Sequence, residues 1–217
     1  MNTCVPAIKF CGLTRGADIE CACALGVDYI GLVFAPASPR HLDPASAREL
    51  AVLLRSRPQP RPRLVALLRD ADAATVEAVI AAVEPDLLQF HGSEDEAFCR
   101  QFALPYWKAL GLHGMTDTDV QAQVERSHPA AEALLLDAHA PGAAGGSGQV
   151  LDWTRWPRTR RRLVLAGGLT AENVAGAVQM THPFAVDVSS GIESAPGIKD
   201  PVRMRAFVAA VAAAGNA

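Results

Sequence analysis

The sequence predicts an α/β protein built as a single closed (β/α)8 barrel over residues 1–217. Three observations carry that expectation. Short apolar runs recur eight times without polar alternation, as parallel strands covered on both faces require. Amphipathic stretches with helix start and stop signals separate most of them. Polar or glycine-rich residues directly follow the runs, where the active face of a parallel barrel lies.

The expected strands are "VPAIKF" (5–10), "DYIGLVF" (28–34), "RLVALL" (63–68), "DLLQF" (86–90), "YWKAL" (106–110), "ALLLD" (133–137), "RRLVLA" (161–166) and "FAVDV" (184–188). Between them, Gly26 closes the first helix as a left-handed cap. Asp43-Pro44 gives an N-cap and a first-turn proline ahead of "ASARELAVLLRS". Asp72 caps "AATVEAVIAAV", and Ser93 with Glu96 has the spacing of a capping box before "AFCRQF". The sixth helix is the weak one, since "DWTRW" is barely one turn before Pro157. Thr170 caps "AENVAGAVQM", and Asp200-Pro201 opens the last helix. At about 27 residues per unit the chain is short for a TIM barrel, where about 250 is typical, so few insertions are expected. The competing architecture, an open doubly wound sheet, usually has fewer strands.

Half the residues are hydrophobic and the formal net charge is −3, which describes a soluble globular chain with a sizeable core. The basic cluster "RWPRTRRR" (155–162) lacks an aromatic ladder and reads as a solvated loop, so no nucleic acid is expected. The apolar tail "AFVAAVAAA" is too short to span a bilayer, and no membrane partner is expected. Five irregularly spaced cysteines and no secretory apolar segment after Met1 point to a reducing cytoplasm. Cys21 and Cys23 point to nearly opposite sides of a helix and read as filler rather than as a metal pair. A monomer is expected, with a homodimer left open.

The strand ends carry chemistry. In chain order they are Cys11, the loop to Arg40, Arg69-Asp70, Gln89 with His91, Gly111-Leu112, Asp137, Gly167-Gly168, and Asp187 followed by "SSG". Three late loops, "GGSG" (145–148), "AGGL" (166–169) and "SSGIE" (189–193), suit a phosphate cradle. Glycine lets backbone N–H groups converge on an anion, and barrels often hold phosphate after strands seven and eight. None of the three fits a Walker A loop or a dinucleotide fingerprint. Cys11 and Asp137 are candidate proton handlers: a thiolate beside cations can act as base, and a poorly solvated carboxyl as acid. Spacing alone leaves open that Cys11 is a core residue and Asp137 a loop cap.

Taken together and in order, "KFCGLTR", "GLVFAPASPR", "QFHG", the aspartate of "LLLDAHAPGAAGGSG", "LAGGLTAENV" and "DVSSGIESAPGIKD" resemble the phosphoribosylanthranilate isomerases of tryptophan biosynthesis. The resemblance runs from residue 9 to 200; its specific blocks are CG-L-T and DVSSG-E…G-KD. It implies Cys11 as general base and Asp137 as general acid, with Arg40 binding the anthranilate carboxylate. It places His91 and Asp187 at the substrate pocket. Gly146, Ser147, Gly148, Gly167, Gly168, Ser190 and Gly191 would bind phosphate. The implied reaction is an Amadori rearrangement of a phosphosugar, in which a protonated imine is the electron sink, so no metal or organic cofactor is required. Ser147 stands where a threonine is usual, and "VALLRDAD" replaces the usual "VGVF" strand, leaving Arg69 and Asp70 without an assigned role. Two rivals are the related sugar isomerase of histidine biosynthesis, which carries an aspartate in place of Cys11, and a non-catalytic phosphosugar-binding barrel.

Overall fold

The computed structural model describes residues 5–112, 114–137 and 152–215. Its strands are β1 (Ala7–Cys11), β2 (Tyr29–Val33), β3 (Arg63–Leu68), β4 (Leu87–Phe90), β5 (Tyr106–Gly111), β6 (Ala133–Asp137), β7 (Leu163–Leu165) and β8 (Ala185–Val188). They close in sequential order, each parallel to its neighbours, with β8 pairing back onto β1. Around them pack α1 (Gly16–Ala24), α2 (Pro44–Arg55), α3 (Ala73–Val83), α4 (Glu96–Arg100), α5 (Asp117–Arg126), α6 (Val174–Thr181) and α7 (Pro201–Gly215). A 3-10 turn at Trp153–Arg155 stands where the weak sixth helix was expected. A small antiparallel pair, β9 (Glu193–Ala195) and β10 (Ile198–Lys199), follows β8.

The pleat sorts side chains into two cores. Ile8 and Phe10 point outward into the large cluster shared with the helices. Lys9 and Cys11 alternate with them and face inward. Inside the barrel, Tyr29, Val65, Leu87, Trp107, Leu135 and Val164 fill the lower layers. Trp107 is fully buried and its ring lies 4.8 Å from that of Tyr29. Truncating it to alanine would cost about 3–5 kcal/mol, because the barrel wall cannot collapse into the space. Above this apolar plug the inner positions turn polar, with Lys9, Gln89, Asp137 and Asp187. The plug thus fixes the depth at which the chemistry begins.

Several helix starts follow the sequence. Asp43 accepts from the Ala45 and Ser46 N–H groups, Asp72 from Thr75, and Asp200 from Val202. Two do not. Asp95, rather than Ser93, caps α4 by accepting from Phe98 N–H at 2.8 Å. Ser93 donates instead to Asp70, so its hydroxyl serves a tertiary contact. Thr170 does not cap α6: residues 171–173 form a turn and the helix begins at Val174. Asn173 Oδ1 accepts from Thr170 N–H while its Nδ2 donates to Gly168 O, so that side chain braces the loop after β7.

Candidate active site

Cys11 ends β1 at the barrel mouth and is only 5% exposed. The glycine after it has two jobs. Gly12 adopts φ +72°, which suits a residue without Cβ, and a Cβ there would collide with the Arg40 side chain lying across it. Gly31, the register partner of Cys11 on β2, also makes room. A Cβ on it would lie 2.9 Å from Cys11 Sγ and 3.1 Å from Lys9 Nζ.

One cavity gathers Cys11, Arg40, His91, Asp137 and Asp187, which stand on or after five different strands. Asp137 ends β6 and is buried. Gln89 Nε2 contacts His91 Nδ1 at 3.2 Å. The other ring nitrogen, His91 Nε2, lies 3.9 Å from Asp137 Oδ2. Asp187 accepts from Lys9 Nζ at 2.8 Å. Ser189, the next residue after β8, donates its hydroxyl to Cys11 O and also lines the cavity.

Arg40 is not the exposed loop arginine that its place before a helix start could suggest; it is 9% exposed. Its Nε and Nη2 pair with the two carboxylate oxygens of Glu193, each at 2.7 Å. Glu193 also accepts from Lys199 Nζ at 2.7 Å, and Lys199 reaches Ser189 O. Burial would raise the Glu193 carboxyl, but the hydrogen bonds from Arg40 and Lys199 outweigh it and hold it below its ordinary value. The bidentate edge of Arg40 is thus occupied by the protein itself, and Nη1 is the edge this pair does not use.

Gly168, Ser190 and Gly191 border a second concavity together with Thr170 and Arg203. Gly167 and Gly168 both have positive φ, +88° and +64°. A Cβ on Gly191 would collide with the Leu169 carbonyl, so the loops after β7 and β8 touch backbone to backbone. Gly146, Ser147 and Gly148 lie outside the described residues.

Sequence reasoning missed Lys9, Glu193 and Lys199. Lys9 had a signal: a lysine within an apolar strand, two residues before Cys11, must share its inward face. The role left open for Asp70 is resolved by its contacts. Its Oδ1 accepts from both the N–H and the hydroxyl of Ser93, tying the loop after β3 to the loop after β4. Arg69 lines the mouth of the Cys11 cavity.

A closed parallel barrel whose C-terminal mouth holds a thiol and carboxyls around one cavity is a (β/α)8 protein of the acid–base enzyme type. Residues 8–210 match the family model described as N-(5'phosphoribosyl)anthranilate (PRA) isomerase. The N-(5'-phosphoribosyl)anthranilate isomerase of Xanthomonas euvesicatoria pv. vesicatoria is 49% identical over 205 residues, covering 93% of this chain and 90% of that one. Among solved structures, monomers of the dimeric phosphoribosylanthranilate isomerase of Thermotoga maritima superpose with a TM-score of 0.79 at 31% identity, covering 96% of this chain and 99% of that one. A phosphoribosylanthranilate isomerase in complex with reduced 1-(o-carboxyphenylamino)-1-deoxyribulose 5-phosphate has the same TM-score at 30% identity and the same coverage. The chain belongs to the N-(5'-phosphoribosyl)anthranilate isomerase family.

Proposed function

We propose that this chain converts N-(5-phosphoribosyl)anthranilate to 1-(2-carboxyphenylamino)-1-deoxyribulose 5-phosphate, a step of L-tryptophan biosynthesis, with Cys11 and Asp137 as its proton-transfer pair. The observation that carries this reading is the shared cavity. A thiol from β1 and a carboxyl from β6 face one space from well-separated strands of the barrel.

In this scheme Asp137 gives its proton to the ring oxygen, which leaves C1 as the furanose opens to a protonated imine. Cys11 then removes the proton from C2. The C2–H electron pair forms a C1–C2 double bond, and the imine π pair settles on nitrogen. Proton delivery to C1 and loss of the C2 hydroxyl proton give the ketone. Over the whole reaction no atom is gained or lost, and both side chains return to their starting states. His91, with Nε2 3.9 Å from Asp137 Oδ2, would stabilise the carboxylate formed in the first step. Arg40 would meet the anthranilate carboxylate through Nη1, with Glu193 holding the guanidinium still. Asp187 would border the sugar. The backbone around Gly167, Gly168, Ser190 and Gly191, together with the 146–148 loop, would hold the phosphate. Anchoring both substrate ends leaves the reacting carbons between acid and base.

Carbon NMR tests the scheme directly. Substrate labelled at C2 should lose its ribose resonance and gain a ketone resonance in a product of unchanged mass. A product of different mass would sink it.

The same reading places the enzyme in the cytoplasm, where a free Cys11 survives. Among the described residues no helix is long and apolar enough to cross a membrane. We favour a monomer, because among the described residues the exposed large apolar side chains Val52, Met180, Ile198 and Val202 stand on four different elements, with Val5 ahead of β1. Light scattering that gave twice the chain mass would overturn that preference.

A further inference from the structure

Lys9 places a full charge inside the barrel, and the acid–base scheme above makes no use of it. The side chain is completely buried on the same inward face as Cys11. Burying an ammonium is costly unless it is paired. Lys9 is paired, donating to Asp187 Oδ1 at 2.8 Å across the β1–β8 register in which the two residues stand side by side. A salt bridge alone could occupy any height in the barrel. This one sits beside the thiol: Lys9 Nζ and Cys11 Sγ border the same space, the gap left by the missing Cβ of Gly31.

We propose that Lys9 is a positioning residue whose ammonium, fixed by Asp187, offsets the burial of Cys11, favouring its thiolate and holding the sulfur toward the substrate. The inference rests on the reading of Cys11 as general base. A neutral thiol cannot take the C2 proton; a thiolate can, becoming S–H as the C–H pair moves into the C1–C2 bond. An opposite charge within a few ångströms favours the thiolate.

The surrounding groups pull both ways. Burial dominates and holds the Cys11 thiol above its ordinary value, and Lys9 is the strongest influence drawing it back. Asp187 on β8 acts against ionisation and Lys199 on β10 assists it, both more weakly than Lys9. Arg40, beyond β2, also feels the sulfur charge, while Arg69, His91 and Asp137 face it across the cavity. Burial would lower the Lys9 ammonium, but Asp187 and Cys11 together raise it, so it stays protonated.

The test follows the ionisation of Cys11 by iodoacetamide alkylation across pH, with mass spectrometry resolving each cysteine. In Lys9→Met the alkylation midpoint of Cys11 should rise by about one pH unit or more, while those of Cys21 and Cys23 stay put. Turnover at pH 7 should then fall about tenfold per unit of rise and recover as pH increases, the thiolate fraction changing tenfold per unit. Lys9→Arg should keep the midpoint near wild type. If Lys9→Met does not fold, Lys9→Met combined with Asp187→Asn leaves no lone buried carboxylate, and its Cys11 midpoint should still lie above wild type. An unmoved midpoint in the folded variant overturns the proposal. If Cys11→Ala keeps full turnover, the base reading itself fails and takes this inference with it. If Cys11→Ala is inactive but the midpoint does not move, only the role of Lys9 falls.

Discussion

Arg40 and Glu193 meet fork to fork, with Nε and Nη2 each 2.7 Å from a carboxylate oxygen, although 153 residues separate them in the chain. The pair joins the loop after β2 to the hairpin after β8, and Arg40 also lines the cavity. Arg40→Ala should therefore raise KM for phosphoribosylanthranilate more than it lowers kcat. A substrate analogue lacking the anthranilate carboxylate separates the roles. Wild type and variant should handle that analogue about equally; equal impairment with both substrates would show that Arg40 does not read the carboxylate.

Removing the other partner tests stability instead. Glu193→Gln leaves buried Arg40 and Lys199 without their counter-charge, which should cost about 3–5 kcal/mol in urea unfolding. The pH dependence has a definite sign. Glu193 titrates below its ordinary value, so its contribution is complete above the unfolded carboxylate pKa of about 4.3 and is lost as pH falls through the lowered one. Wild type should lose more stability than Glu193→Gln over that acid window. Parallel curves would mean that the carboxylate adds nothing.

Gly31 offers a probe of the thiol's surroundings. Its added Cβ would press on Cys11 Sγ and Lys9 Nζ but also lie 3.3 Å from Cys11 Cα. Gly31→Ala should lower kcat by about tenfold or more, because small displacements of a proton-transfer group are costly. Phosphate inhibition should stay unchanged, since the proposed cradle lies on other loops. Wild-type kcat in folded Gly31→Ala would contradict the packing described.

The loops proposed to hold phosphate make a separate prediction. Gly191→Ala must drive the loop after β8 away from the Leu169 carbonyl. Affinity for substrate and for inorganic phosphate should weaken together, as expected if one backbone cradle serves both. Weakened substrate binding with an unchanged phosphate inhibition constant would remove Gly191 from the cradle.

These tests draw unequally on what the sequence displays. The eight strands were legible because parallel strands read as unbroken apolar runs, and their bounds moved by only a few residues. The placement of Cys11 and Asp137 at one barrel mouth was legible because they stand directly at strand ends. Pairings between distant loops were not: no local pattern joins Arg40 to Glu193, or Lys9 to Asp187. The Ser93 cap failed for the same reason, its hydroxyl having been drawn to Asp70 on another loop. The true cap box of α5, Thr116 with Asp119, escaped notice because aspartate fills the third position where glutamate is usual.

The measurement closest to the central claim is the fluorescence of freshly made phosphoribosylanthranilate after addition of purified protein. It should fall far faster than the spontaneous background with wild type. Cys11→Ala and Asp137→Asn should each slow that fall by about a hundredfold or more, the scale of a lost acid–base group, while binding a reduced product analogue nearly as wild type does. A wild-type trace no faster than background, or either variant matching wild type, would contradict the account.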